Sequence, residues 1–269
     1  MTLEPVDPVR PVAAYIGGKR SLSKRLVELI AGVPHDCYVE PFVGMGGVFF
    51  RRGLRPGLEV INDISRDVVT LFRLLQRHYP QLLDTLKWQL SSRAEFNRLL
   101  KVDPDTLTDL ERAGRFLYLQ RLAFGGKVEN RAYGVMTTGP GARFNLSKLE
   151  PMLEDVHERL TAVVIECLPF GQLIERYDRP HTLFYCDPPY WGNERDYGVG
   201  VFCRDDFERL STLLEGVEGR FILSINDRPE VRELFAWADI EEVGLNYRIS
   251  GTVTPARELI VTPRLKCSI

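Results

Sequence analysis

The tetrapeptide Asp187-Pro188-Pro189-Tyr190 carries the groups best suited to chemistry in this chain. It follows the apolar run Leu183 to Cys186, which reads as a buried strand. The tetrapeptide is therefore expected at the carboxyl end of a strand, where open α/β sheets bind their ligands. Two prolines fix φ and remove two backbone N–H donors, leaving a stiff loop that accepts hydrogen bonds and hardly donates them. An exocyclic amino group on a purine or pyrimidine needs acceptors of that kind. The Tyr190 ring offers a flat surface for the face of a base. The plainer alternative is an ordinary Pro-Pro turn after a strand.

A second constellation lies upstream. Tyr38-Val39-Glu40 reads as a strand, followed by Pro41-Phe42-Val43-Gly44-Met45-Gly46-Gly47 and the apolar Val48-Phe49-Phe50. Strand, glycine-rich turn and helix start are the layout of a nucleotide or nucleoside loop, although a structural turn reads the same way. The turn lacks the Lys-Ser/Thr pair of a phosphate-cradling loop, which disfavours an NTPase. The next strand, Glu59 to Asn62, ends in Asp63. A carboxylate there, about 20 residues past the glycine turn, is placed to hydrogen-bond ribose hydroxyls. Before both, Tyr15-Ile16-Gly17-Gly18-Lys19 leads through Ser21, read as an N-cap, into a helix with Leu22, Leu26, Leu29 and Ile30 on one face.

These residues need elements to position them. From Leu71 to Leu122 the strand pattern gives way to helical periodicity, which predicts an inserted helical lobe. The lobe closes with Phe124-Gly125-Gly126 and an irregular finger from Arg131 to Asn145, tipped by Gly139-Pro140-Gly141. Strands resume at Ala162 to Glu166, Leu183 to Cys186, Phe221 to Ser224 and Ile240 to Val243, with a final pair around Tyr247 to Ile249 and Glu258 to Val261. Alternating strands and helices predict an α/β fold with a mostly parallel sheet.

Composition narrows the function classes. With 44% hydrophobic and 27% charged residues over 269 positions, the chain reads as soluble and globular, with room for one large core and an inserted lobe. No apolar run approaches the ~20 residues of a membrane span, and Met1 to Pro11 lacks the apolar stretch of a signal peptide, so a cytoplasmic enzyme is expected. Five cysteines (Cys37, Cys167, Cys186, Cys203, Cys267) show no short paired spacing and four histidines are scattered, so neither a metal site nor a disulfide framework is indicated. The net charge of -2 argues against a uniformly basic nucleic-acid binder. Its distribution differs: Arg112 to Lys148 holds seven basic residues and one acid, Glu129, and Arg10 to Arg25 holds five basic residues and no acid. Such stretches suggest a polyanion path over one face, the alternative being solvated helix faces.

Taken in order, the motifs resemble the DNA adenine N6-methyltransferases of the Dam-like, D12 class, which place the target-recognition region between cofactor and catalytic halves. The resemblance runs over nearly the whole chain, through Tyr15-Ile16-Gly17-Gly18-Lys19, Glu40-Pro41-Phe42-Val43-Gly44-Met45-Gly46, Asn62-Asp63, Asp187 to Tyr190 and Ser224-Ile225-Asn226-Asp227, ending near Glu258-Leu259-Ile260. It implies a Rossmann-like, seven-stranded, mostly parallel sheet with helices on both faces and an antiparallel strand near one edge. Residues 1–75 and 151–269 would form the catalytic domain and residues 76–150 the inserted recognition domain. The cofactor implied is S-adenosyl-L-methionine. Tyr15, Lys19, Glu40, Pro41, Phe42, Asp63, Phe170 and Asp187 correspond to cofactor-contacting positions, and Gly44 and Gly46 to the turn beside its methionine part. No metal is implied.

By the same resemblance the substrate is an adenine flipped out of double-stranded DNA. Asp187 and the Pro188 carbonyl would each accept one N6 hydrogen, localising the lone pair for in-line attack on the sulfonium methyl, and Tyr190 would stack on the base. Phe124, Lys127, Arg131, Tyr133 and Arg143 are the candidate DNA contacts, with an Arg reading a base beside the target and an aromatic ring filling the stack. A cognate restriction endonuclease, acting separately, is a further candidate partner, and the setting implied is the cytoplasm of a bacterial, archaeal or phage-infected cell, on the nucleoid. Two departures from the family pattern stand out: Pro169 precedes Phe170 where the family often has an acid, and Ser65 replaces a common Asn. Three rivals stay open: an N4-cytosine methyltransferase, whose motif more often begins with Ser; a protein glutamine methyltransferase, which typically has Asn at the Asp187 position; and a catalytically silent DNA-binding protein of the same fold.

Overall fold

Every run anticipated as a strand enters one seven-stranded sheet in the computed structural model, which describes residues 3–19, 21–134, 143–198, 200–249 and 252–264. From the amino end come β1 (Glu4–Pro5), α1 (Ser23–Gly32), β2 (Cys37–Glu40), β3 (Leu54–Arg55) and β4 (Leu58–Asn62). Helices α2 (Arg66–Arg77), α3 (Tyr79–Leu86), α4 (Arg93–Leu100) and α5 (Asp109–Leu122) follow, and α6 (Leu146–Leu160) returns the chain to the sheet. Strand and helix then alternate: β5 (Val163–Glu166), α7 (Phe170–Tyr177), β6 (Thr182–Cys186), α8 (Arg204–Gly216), β7 (Arg220–Asn226) and α9 (Pro229–Leu234). A long hairpin of β8 (Asp239–Ile249) and β9 (Thr252–Thr262) ends the fold, and β1 pairs with β3 in a small separate ribbon.

The sheet order is β5-β4-β2-β6-β7-β9-β8. All neighbouring pairs are parallel except those made by β9, which runs antiparallel to β7 and β8. This is the expected mixed α/β sheet with its antiparallel strand near one edge. Chain order runs one way from β2 to β4 and β5, and the other way from β6 to β7. The direction reverses between β2 and β6, and a crevice opens at the carboxyl ends of strands at such a point.

Alternation along the strands sends neighbours to opposite faces. Tyr38, Ile61, Leu183 and Tyr185 join the core under α1 and α2, while Val39, Val60, Phe184 and Cys186 join the core under α7 and α8. The inserted helices share the first of these cores: Leu82, Leu86, Phe96 and Phe116 are continuous with Phe72 and Phe50. Packing on that face, rather than a separate hydrophobic centre, holds α3 to α5 in place.

Several expectations need correction. Ser21 does not cap α1; the helix begins at Ser23, and the N–H groups of Leu22 and Ser23 bond to Lys19 O at 3.0 and 2.6 Å. Val48-Phe49-Phe50 starts no α-helix but a single 3₁₀ turn, Phe49–Arg51, because the chain must turn back into β3. The two strands anticipated within residues 240–249 are one, since pairing with β9 continues across Gly244. Of the basic stretch from Arg112, three arginines are drawn into the protein, while Lys127 and Lys148 are exposed. Arg112 and Arg115 are buried on α5, with Arg112 Nε 2.5 Å and Arg115 Nη1 3.9 Å from the Asp67 carboxylate on α2. Arg121 donates to Val12 O and Arg143 O at 3.0 and 3.1 Å. Charges close in sequence are spent on acceptors far away in it. The Gly139 to Gly141 tip lies outside the described residues, among which no helix is long and apolar enough to cross a membrane.

Candidate active site

The carboxyl ends of β2, β4 and β6 open into a cleft of about 840 Å³. Its walls include Tyr15, Lys19, Phe42, Asp63, Phe170 and Asp187, so groups read separately from sequence meet in one place. Glu40, Pro41, Gly44 and Pro189 also line it.

At one end β6 delivers the tetrapeptide. Pro188 and Pro189 are buried, while Asp187 and Tyr190 are half-buried. The buried Lys19 ammonium sits 2.5 Å from Asp187 Oδ1 and donates to Tyr190 Oη at 2.6 Å. Tyr190 in turn donates to Glu258 Oε1 at 2.5 Å, and Glu258, buried on β9, lies 3.8 Å from the same ammonium. Ser224 Oγ, on β7, adds a longer contact to Asp187 Oδ1 at 3.4 Å and is itself 2.8 Å from Tyr185 Oη. Asn226 grips the next residue from both sides: Trp191 N donates to Asn226 Oδ1 at 2.9 Å and Asn226 Nδ2 to Trp191 O at 3.0 Å. Burial pushes the Asp187 carboxyl up to about 6, against the pull of the neighbouring Lys19, which favours the ionised form. At neutral pH Asp187 is a carboxylate with a cation beside it.

At the other end lies the glycine turn after β2. Gly44 has φ +50°, and a side-chain carbon there would meet the Tyr15 ring at 2.9 Å, while at Gly46, φ +72°, it would run into Phe50. The turn is held from β4: Gly44 N donates to Asp63 Oδ2 at 2.9 Å and Ser65 N to Asp63 Oδ1 at 2.8 Å. Burial still raises Asp63 to about 6 despite these two donors. Glu40, beneath the turn, is pushed up to about 8 by burial and accepts the Tyr38 hydroxyl at 2.6 Å, so it is largely protonated at pH 7. Phe42, Phe170 and Phe202 form a ring cluster beyond the turn, with centroids 5.4 to 5.9 Å apart.

A stiff acceptor loop facing a glycine turn and a strand-end carboxylate across one cleft can hold an amine against a nucleoside-bearing cofactor. Comparison with known proteins shows the family. Residues 15–249 match the D12 class N6 adenine-specific DNA methyltransferase family. The chain belongs to that family. Among its relatives, Type II methyltransferase M.CviBI of Paramecium bursaria Chlorella virus NC1A is 26% identical over 84% of this chain and 86% of the relative. DNA adenine methylase of Haemophilus influenzae is 23% identical over 93% of this chain and 91% of the relative. DNA N-6-adenine-methyltransferase of Escherichia phage P1 is 27% identical over 84% of this chain, but the match spans only 31% of that longer protein.

In this D12 class methyltransferase the finger residues fall into two groups. Phe124, 49% exposed, and Lys127, exposed, face solvent. Arg131, Tyr133 and Arg143 are engaged within the protein. Arg131 donates to Lys127 O and to Gln120 Oε1, both at 3.2 Å, and lies over the Phe116 ring. Tyr133 meets Phe96 edge-on and carries the Arg93 guanidinium 4.8 Å above its ring. Arg143 donates to Ala123 O at 3.2 Å. Sequence reading missed Gln120, a buried side chain whose Nε2 donates to Ala14 O at 2.8 Å and Gly126 O at 2.7 Å, tying the Phe124 turn to the Tyr15 segment. It also gave no role to Glu258, Ser224, Asn226 or Tyr197, whose hydroxyl donates to Ile16 O at 3.3 Å. Ser224, Asn226 and Glu258 lie in segments that carried the family resemblance, and Glu258 also stands out as a polar residue before the apolar Leu259-Ile260-Val261.

Proposed function

We propose that this DNA adenine methyltransferase draws its methyl group from S-adenosylmethionine and delivers it to N6 of an adenine turned out of double-stranded DNA. The observation that carries the reading is the meeting of Asp187 and Pro189, from the tetrapeptide, with Gly44 and Asp63 in a single cleft. The residues present fit the cofactor: Asp63 is a strand-end carboxylate for ribose hydroxyls, Phe42 and Phe170 offer ring surface for adenine, and Gly44 lets the turn close against the Tyr15 ring at the cleft wall. Tyr15, Lys19, Glu40 and Pro41 complete its walls. When bound, S-adenosylmethionine supplies an electrophilic methyl with a good leaving group.

The protein's own work is orientation. The N6 lone pair of adenine is delocalised into the ring, and N6 becomes a usable nucleophile as its two hydrogens are drawn toward fixed acceptors. Asp187 accepts one and the Pro188 carbonyl the other, in a loop whose geometry the prolines set in advance. Lys19 and Ser224 both meet Asp187 at Oδ1, which leaves Oδ2 for the arriving amine. Flipping costs a few kcal/mol, and stacking on Tyr190, worth ~1–3 kcal/mol, offsets much of it. Residues 76–150 serve as the target-recognition lobe within a catalytic domain of residues 1–75 and 151–269. A separate restriction endonuclease of matching specificity is the partner that the type II names of relatives support.

The test is to incubate purified protein with S-adenosylmethionine and duplex genomic DNA and analyse nucleosides by mass spectrometry. N6-methyladenine is expected. Methylcytosine alone moves the chain to the N4-cytosine class, and no product on diverse DNA leaves a silent binder. Single-molecule sequencing of the product gives the target site.

A further inference from the structure

The aromatic end of the cleft sets a chemical demand. A purine held against the half-buried Phe42 ring, which packs on the buried Phe170 and Phe202, presents an edge with a donating amine and accepting ring nitrogens, and a buried donor left without a partner weakens binding. Pro169, at the start of α7, offers neither a side-chain acceptor nor an N–H. Among the described residues, four carboxyl groups line the cleft: Glu40, Asp63, Asp187 and Asp206. Three of them are held at the glycine turn and the tetrapeptide, Glu40 by Tyr38, Asp63 by Gly44 and Ser65, and Asp187 by Lys19.

We propose that Asp206, on the first turn of α8, accepts the exocyclic amine of the cofactor's adenine and so sets the enzyme's preference for an adenine-bearing cofactor; the inference rests on the use of S-adenosylmethionine proposed above. The position of α8 supports it. Phe202, just before the helix, is part of the ring cluster, and Arg209, one turn beyond Asp206, carries its guanidinium 5.4 Å over the Phe170 ring. Both Asp206 and Arg209 line the cleft, so the first turn of α8 faces this end. The carboxylate is already oriented: Asp206 Oδ2 accepts from Cys203 N at 2.9 Å and from Cys203 Sγ at 3.2 Å. A carboxylate has about four lone-pair sites, so this cap leaves capacity for a further donor. The opposite polarity lies close by, since Phe170 N–H, at the first position of α7, has no acceptor within its own helix. One acceptor and one donor beside the ring cluster match the amine and a ring nitrogen of adenine.

The experiment compares binding of S-adenosylhomocysteine with that of its deaminated analogue S-inosylhomocysteine, by calorimetry, in the wild-type protein and in Asp206→Asn and Asp206→Ser. In S-inosylhomocysteine a carbonyl replaces the amine. The wild type is expected to favour the adenosyl compound by about tenfold or more. Asp206→Ser keeps a helix-capping side chain but withdraws the carboxylate, and should lose that preference through weaker binding of the adenosyl compound alone. Asp206→Asn, able to present an amide N–H, should shift the preference toward the inosyl compound. Asp63→Asn serves as a control that weakens both equally. Wild-type preference retained in both Asp206 variants, or no preference in the wild type, overturns the assignment while leaving the cofactor reading intact. Failure of the wild type to bind either compound overturns the cofactor reading and this inference with it.

Discussion

The Lys19 ammonium lies 2.5 Å from Asp187 Oδ1, within the loop proposed to receive the substrate amine. A buried cation needs fixed partners, and Lys19 has them in Asp187, Tyr190 and Glu258. Lys19 thus ties the Asp187 to Tyr190 loop to β9 through one oxygen of the Asp187 carboxylate.

With Asp187 as the proposed acceptor, the charge of Lys19 should set the acid limit of the reaction. Burial lifts Asp187 to about 6 and Lys19 acts in the opposite sense. Above that value the carboxylate can accept an N6 hydrogen; below it the rate should fall about tenfold per pH unit. Lys19→Met removes the opposing pull, so the acid limb of kcat/KM should move to higher pH. The profile between pH 5 and 8 is the measurement, and a limb at the wild-type position would show that the ammonium does not act on Asp187.

Asp187→Ala should reduce turnover by about 10²-fold or more, since a charged acceptor for the reacting amine is lost. DNA affinity should largely survive, because most protein–DNA hydrogen bonds go to the backbone. Filter binding alongside single-turnover kinetics separates the two. Near-normal turnover in a folded variant would remove Asp187 from the chemistry.

Local features of the site were readable in the sequence. The Asp187 to Tyr190 loop and the Gly44 turn announce themselves because stiffness and φ belong to consecutive residues. The charge network was not readable, because its members are 171 residues apart in the Lys19–Tyr190 pair and 68 in the Tyr190–Glu258 pair. The same limit misled the count of basic residues: Arg112 looked exposed until α5 packed on α2 and placed it on Asp67, 45 positions upstream. Strand boundaries suffered likewise at Gly244, where local alternation stops but the pairing with β9 continues.

Asp63 both shapes the glycine turn and faces the cleft. Asp63→Ala should weaken S-adenosylhomocysteine binding by ~1–3 kcal/mol through lost hydrogen bonds. Asp63→Asn, which can still accept from Gly44 N, should fall between wild type and alanine. Unchanged affinity by calorimetry would take Asp63 out of the cofactor site.

In the finger, structural and DNA-contacting roles should separate by assay. Arg143→Ala and Arg131→Ala remove hydrogen bonds to Ala123 O and Gln120 Oε1, and should lower the unfolding midpoint. Lys127→Ala should leave stability unchanged, weaken all DNA sites alike and reduce the salt slope by about one. Phe124→Ala should impair base flipping without altering fold. A stable Arg131 or Arg143 variant that loses ~1–3 kcal/mol of discrimination at one base position would restore that arginine as a reader of sequence.

Glu40 gives a stability effect whose sign can be worked out. Its carboxyl is raised from 4.5 to about 8, chiefly by burial, so between these values the folded protein holds a proton that the unfolded chain has released. Stability then falls as pH rises through that window, by up to ~1.4 kcal/mol per unit from this group. Below 4.5 both states are protonated and the term vanishes. Glu40→Gln keeps an oxygen for the Tyr38 hydroxyl and has no proton to lose. The variant should therefore match the wild type near pH 4.5 and exceed it by on the order of 3 kcal/mol at pH 7. Urea unfolding at both pH values measures the gap. A gap that stays constant, or closes as pH rises, would mean that Glu40 is ionised in the folded protein, and that a second carboxylate charge stands beside Asp187 in the cleft.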